Sequence, residues 1–137
     1  MRRFSFSEKD TEQLGFELAM GTAPGTFIAL RGDLGAGKTA FVRGFAHALG
    51  EDEVSSPTFT IVHEYDTSPP IYHFDCYRLT GEDDLWDIGF SDYLDRGNII
   101  LMEWPERVED ALPKARVEIS INVLGDEKRE IIIKNIK

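Results

Sequence analysis

Gly32-Asp33-Leu34-Gly35-Ala36-Gly37-Lys38-Thr39 is the stretch that decides how this chain folds. It fits G-x-x-x-x-G-K-[ST], a loop whose backbone N–H groups cradle phosphates. In such a loop the Lys reaches the β- and γ-phosphates and the Ser or Thr hydroxyl ligates Mg²⁺. Ahead of it, Thr26-Phe27-Ile28-Ala29-Leu30 is apolar and partly β-branched, which predicts a buried strand. Behind it, Phe41, Phe45, Ala48 and Leu49 recur at helical spacing, and Gly50 supplies a stop. A glycine-rich turn can also join strand to helix with no ligand, but Lys38-Thr39 directly after Gly37 argues against that. The candidate nucleotide-binding set is therefore Asp33, Leu34, Gly35, Ala36, Gly37, Lys38 and Thr39. Residues 35–39 offer N–H groups at a helix N-terminus.

The 137 residues fit one domain, 1–137, around one core. Twenty-five acidic residues against fifteen basic ones give a net charge of −10. That balance excludes a chain that grips a phosphate backbone by charge, so any service to nucleic acid runs through a partner protein. A lone Cys76 excludes an internal disulfide framework and fits a reducing cytosol, with the thiol as a small buried residue rather than a nucleophile. Arg2-Arg3 is followed by Phe-Ser-Phe-Ser rather than an apolar run, and no stretch approaches the ~20 apolar residues of a membrane span. The expectation is a cytoplasmic protein with no membrane association.

In chain order, Arg2 to Phe6 predicts a short edge strand. Ser7 is an N-cap with Asp10 three residues on, and Leu14 and Leu18 mark a helix to about Met20. Ser7 and Thr11 are candidates for the adenine edge of a nucleotide, although capping alone accounts for Ser7. Ser55-Ser56-Pro57-Thr58 precedes a strand over Thr60–Tyr65. It reads either as strand-entry chemistry or as a segment facing a γ-phosphate. Ser68-Pro69-Pro70 turns the chain into a second strand, Ile71-Tyr72-His73-Phe74-Asp75. Asp75 is either a turn residue or a carboxylate holding Mg²⁺ or its water shell. His73 is expected to be half-buried and structural.

Two short helical pieces flank Gly89, with Leu85, Ile88, Tyr93 and Leu94 toward the core. Ile99-Ile100-Leu101-Met102 then runs straight into Glu103, as in a buried parallel strand. A carboxylate at that end lies where open α/β sheets place ligands; the alternative is a cap for the helix that Pro105 opens. From Arg116 the pattern alternates with period two, turns at Leu124–Lys128 and returns through Ile136, an antiparallel hairpin. Lys128 or Arg129 can reach a nucleotide base from that turn, or the turn is simply solvated. The fold class is α/β: a three-layer P-loop NTPase-like domain with a mainly parallel central sheet and an antiparallel C-terminal hairpin.

Together, the loop, Ser56-Pro57-Thr58-Phe59-Thr60, His73-Phe74-Asp75-Cys76-Tyr77-Arg78-Leu79, Ile88-Gly89 with Asp92-Tyr93, and Glu103-Trp104-Pro105-Glu106 resemble the TsaE family, formerly called YjeE or YdiB. The resemblance runs from about Phe6 to the hairpin. It implies an ATP-binding, weakly hydrolysing accessory protein for threonylcarbamoyladenosine formation in tRNA. The implied cofactors are ATP and Mg²⁺. The implied partners are TsaD, which transfers the threonylcarbamoyl group, and TsaB, which scaffolds TsaD; tRNA is reached only through that complex. It also implies that Lys38 binds phosphate, that Thr39 and Glu103 bind Mg²⁺, that Asp75 supports the metal or the catalytic water, and that Thr58 lies near the γ-phosphate. Lys38, Asp75, Glu103 and Thr58 form the implied catalytic set, and Trp104 is a contact position. Two rival functions remain: a small nucleotide or metabolite kinase, for which Arg78 is the only well-placed mid-chain arginine, and a non-hydrolytic assembly switch.

Overall fold

Phe27–Arg31 forms strand β2, and its four buried residues alternate between two cores. Ile28 and Leu30 pack with Phe41 and Phe45 in one cluster; Phe27 and Ala29 pack with Phe74 and Phe90 in the other. A strand that is apolar on both faces needs a layer on each side. The computed structural model, which describes residues 1–33, 35–54 and 61–137, supplies both. Helices α1 (Glu8–Met20) and α2 (Lys38–Ala48) cover one face. Helices α3 (Glu82–Asp87) and α4 (Phe90–Asp95), with a 3₁₀ helix (Pro105–Ala111), cover the other through Leu85, Phe90, Val108 and Ala111.

Seven strands make one mixed sheet. With β1 (Arg2–Ser5), β3 (Val62–Tyr65), β4 (Ile71–Asp75), β5 (Ile99–Glu103), β6 (Arg116–Val123) and β7 (Arg129–Ile136), the order is β1-β7-β6-β2-β5-β4-β3. The centre β6-β2-β5-β4 is parallel. The flanks are antiparallel: β1 on β7, β7 on β6, and β3 on β4. The C-terminal hairpin therefore joins the sheet beside the loop strand, and the N-terminal strand covers its outer edge. Parallel alignment brings the C-terminal ends of β2, β4 and β5 to the same side of the sheet, where the loop, Asp75 and Glu103 follow. Arg31, at the end of β2, ties this side together by bonding Glu118 of β6 at 2.6 Å and Glu109 of the 3₁₀ helix at 2.8 Å.

Helix α1 begins as the sequence predicts. Ser7 Oγ accepts from Asp10 N at 3.1 Å, while the Asp10 carboxylate accepts from Phe6 N rather than from the cap residue. The two helices on this face cross at glycines. A Cβ on Gly44 would stand 1.8 Å from Glu12 O, and one on Gly15 would stand 2.2 Å from Phe41 O. Alanine in a helix normally gains roughly 1 kcal/mol over glycine. Here the obstruction is backbone, which cannot rotate aside, so the helices must part. Gly44→Ala is expected to lower stability by about 2 kcal/mol net of that gain. Thermal unfolding checks this, and a melting temperature at or above wild type would refute it. Among the described residues no helix is long and apolar enough to cross a membrane.

Candidate functional site

Gly37 caps α2 with φ 105°, a left-handed conformation that a side chain disfavours. Lys38 is the first helical residue after it. Its side chain is only 5% exposed, and its Nζ has no hydrogen-bond partner among the described residues. The ammonium instead rests 3.7 Å from the centroid of the Trp104 ring. Burial lowers its pKa from the ordinary 10.5, while Glu103, Glu106, Asp75 and Asp33 pull it back up. A buried cation with no acceptor is costly, and it is the strongest sign that an anion belongs here.

Trp104 reaches that lysine because its backbone is left-handed, φ 57° and ψ 47°, at the entry to the 3₁₀ helix opened by Pro105. For a bulky residue this costs roughly 1–3 kcal/mol. The ring also packs on Tyr77 at 4.8 Å. Trp104 therefore takes the capping position that the sequence allowed for Glu103, and Glu103 itself turns to the sheet.

Asp75 and Glu103 are register partners on β4 and β5, so both side chains leave the same face, the one that α2 covers. Cys76 N donates to Glu103 O at 3.1 Å and closes the two strand ends together. Asp75 Oδ1 accepts from Tyr77 N at 3.0 Å. Glu103 is 5% exposed, and its Oε2 accepts from His73 Nε2 at 2.6 Å. The other ring nitrogen, Nδ1, lies 3.0 Å from the Tyr65 hydroxyl. His73 is thus fully buried, not half-buried as expected, because α1 and α2 cover the face that it shares with Glu103. Burial, aided by Glu103, pushes the Tyr65 phenol up to about 12, so it keeps its proton. Burial likewise pushes the Cys76 thiol up to about 12, in keeping with a packing role.

These groups meet around an open cavity of about 420 Å³, within the range of small-ligand sites. Gly35 to Ala40, Asp75, Glu103 and Trp104 line it, as do Ser7, Thr11 and Arg129. Ser7 is engaged as the helix cap. Thr11 shares its hydroxyl with Ser5 at 2.7 Å and sets its methyl beside Gly37. Arg129 is half-buried and lines the cavity. Its Nε donates to Ala36 O at 3.0 Å and its Nη2 to Gly35 O at 3.4 Å, so it braces the back of the loop. Lys128 sits over Phe4 and Phe6 instead. Asp33 is exposed and outside the cavity lining, and its carbonyl accepts from Ala36 N at 3.0 Å. Leu34 and Thr58 lie outside the described residues.

Nothing in the sequence pairs His73 with Glu103 or Arg129 with the loop; both contacts depend on strand register. The donor set suits Mg²⁺. Thr39, Asp75 and Glu103 offer hard oxygens, and no group of three or more His, Cys, Asp or Glu forms a metal cage among the described residues. Mg²⁺ takes one or two carboxylates and fills its remaining positions with water and phosphate oxygens.

The family described as threonylcarbamoyl adenosine biosynthesis protein TsaE matches residues 5–131. The chain is 43% identical over 125 residues to a tRNA threonylcarbamoyladenosine biosynthesis protein TsaE of Bacillus subtilis (strain 168), covering 90% of this chain and 78% of that one. It is 40% identical over 134 residues to the protein of the same name from Treponema pallidum (strain Nichols), covering 97% and 99%. The fold is similar to the crystal structure of Bacillus subtilis YdiB, with a TM-score of 0.85 at 34% identity, covering all of this chain and 86% of that one.

Proposed function

The chain belongs to the TsaE family of tRNA threonylcarbamoyladenosine biosynthesis, and on that premise we propose that it binds ATP with Mg²⁺ in the cavity beside Lys38, hydrolyses it slowly, and supports the modification together with TsaD and TsaB. The observation that carries the nucleotide is the buried Lys38 Nζ without a hydrogen-bond partner, at a helix N-terminus and in front of two strand-end carboxylates. Phosphate oxygens would give that ammonium its acceptors, and the N–H groups of Gly37, Lys38 and Thr39 would add the helix-end field. Thr39 and Glu103 would hold Mg²⁺, with Asp75 beside them for the cation's waters or the attacking water. The metal, when bound, supplies positive charge against the phosphate oxygens. With a net charge of −10, the chain leaves the grip on tRNA to its partners, in the cytoplasm.

The test is a reconstituted modification assay with TsaD, TsaB, tRNA, an activated threonylcarbamoyl donor and γ-labelled ATP. The expected result is label released as free phosphate, faster with the partners present, and modified tRNA that fails to accumulate over repeated turnovers when this chain is left out. Label transferred to a nucleoside or sugar acceptor would overturn the reading in favour of a kinase. Full support of repeated turnovers by a non-hydrolysable ATP analogue would reduce the protein to an assembly switch.

A further inference from the structure

A line of three polar side chains crosses the sheet from its β3 edge to the cavity: Tyr65 on β3, His73 on β4 and Glu103 on β5. His73 is fully buried and Glu103 nearly so, on a face whose buried strand residues are mostly apolar. A polar triad is an expensive thing to bury unless every member is satisfied. Its proton positions follow from the partners: Glu103 is a carboxylate acceptor, so Nε2 carries a proton, and in the neutral ring Nδ1 accepts from the Tyr65 hydroxyl. The ring cannot swing, because both nitrogens are engaged and it packs tilted on Tyr65 at 5.9 Å. Glu103 Oε2 is therefore committed to His73, and Oε1 is the oxygen left for the cavity.

We infer that His73 is a positioning residue that, held by Tyr65, presents Glu103 to the metal site through Oε1 alone. This rests on the proposed binding of Mg²⁺ beside Glu103 and adds how the carboxylate is aimed. A carboxylate free to rotate can offer two oxygens to a cation in several geometries, whereas Mg²⁺ demands near-octahedral placement of single oxygens. Hydrogen bonds that orient a ligating carboxylate typically govern metal affinity by about 10–100-fold.

Mn²⁺ as a probe, titrated by electron paramagnetic resonance into the full chain carrying ADP, measures this without relying on turnover. In His73→Leu the Mn²⁺ affinity is expected to fall about tenfold, with ADP affinity measured without metal staying within about twofold. His73→Gln, which can still donate to Oε2, is expected to restore most of the loss. Tyr65→Phe, which keeps the ring and removes only the hydroxyl, is expected to lose about threefold, a smaller share of the same range. Wild-type metal affinity in His73→Leu overturns the inference, as does a loss in His73→Gln equal to that in His73→Leu. If His73→Leu does not fold, wild-type affinity in Tyr65→Phe overturns it. A Glu103→Gln arm separates the two levels. Mn²⁺ binding indifferent to Glu103→Gln sinks the metal role and this inference with it. Binding that depends on Glu103 but not on His73 or Tyr65 sinks only the positioning.

Discussion

Lys38→Met is expected to bind ATP roughly 10–100-fold more weakly than wild type and yet, without nucleotide, to melt at a higher temperature. The two halves come from the same atom. Among the described residues the ammonium is buried without a hydrogen-bond partner, with the Trp104 face and nearby carboxylates as its compensation. The cation–π contact returns roughly 1–2 kcal/mol, less than a desolvated ammonium forgoes, and the lowered pKa gives the sign of the balance. Methionine keeps the stem and drops the charge. A gain of about 1 kcal/mol would raise the melting temperature of a chain this size by roughly 3–5 °C.

ATP reverses the ranking. At a concentration one hundred times the wild-type dissociation constant, wild type gains about 2.7 kcal/mol. A variant binding a hundredfold more weakly gains only about 0.4 kcal/mol. The pH dependence has a definite sign. Because the folded-state pKa of Lys38 is lowered, the unfolded chain holds the extra proton between that value and the ordinary 10.5. Wild-type stability therefore rises relative to Lys38→Met as pH climbs through that interval, and the gap between them narrows. Paired melting curves with and without ATP, repeated at rising pH, check all three statements. A variant less stable than wild type without nucleotide would show that the lysine is structurally satisfied after all.

Much of this site is legible in the sequence because its parts are local. Strand, glycine loop and helix lie within residues 26–50, where periodicity and the loop motif report directly on structure. Asp75 and Glu103 were readable one at a time, since each ends a largely apolar strand. Their pairing required the parallel register of β4 on β5, which no single stretch encodes. The same holds for His73 and Glu103, 30 residues apart, and for Arg129 and Ala36, 93 apart. His73 looked half-buried because alternation gives a strand's face, not what covers it. Residues 124–128 of the turn are exposed, as their polarity suggests, but polarity says nothing of the loop carbonyls that Arg129 meets. Trp104 was legible as a contact position, but its left-handed backbone was not, since that conformation is imposed between a strand end and Pro105.

Glu103→Gln is expected to slow ATP hydrolysis by about 10²–10³-fold while leaving nucleotide affinity, measured without metal, equal to or slightly tighter than wild type. The substitution preserves volume, so the cores on both faces should be undisturbed. Its effect lies in charge and in which atom faces the cavity. If the amide oxygen stays on His73 Nε2, the amide NH₂ is turned toward the place of the cation and repels it. If the amide flips, its NH₂ donates to a His73 ring that must shift its proton to Nδ1, and the Tyr65 hydroxyl becomes the acceptor. The triad tolerates that second arrangement because each member can exchange donor and acceptor roles. A neutral oxygen then faces the cavity, a weaker Mg²⁺ ligand than the carboxylate it replaces. Without metal, one fewer negative charge stands near the phosphates, which accounts for the retained or tighter binding. Steady-state turnover and metal-free nucleotide titration on the same preparation separate the two effects. Hydrolysis within about threefold of wild type would remove Glu103 from the reacting groups, since losing a transition-state contact costs far more than that, and would leave Asp75 as the carboxylate that matters.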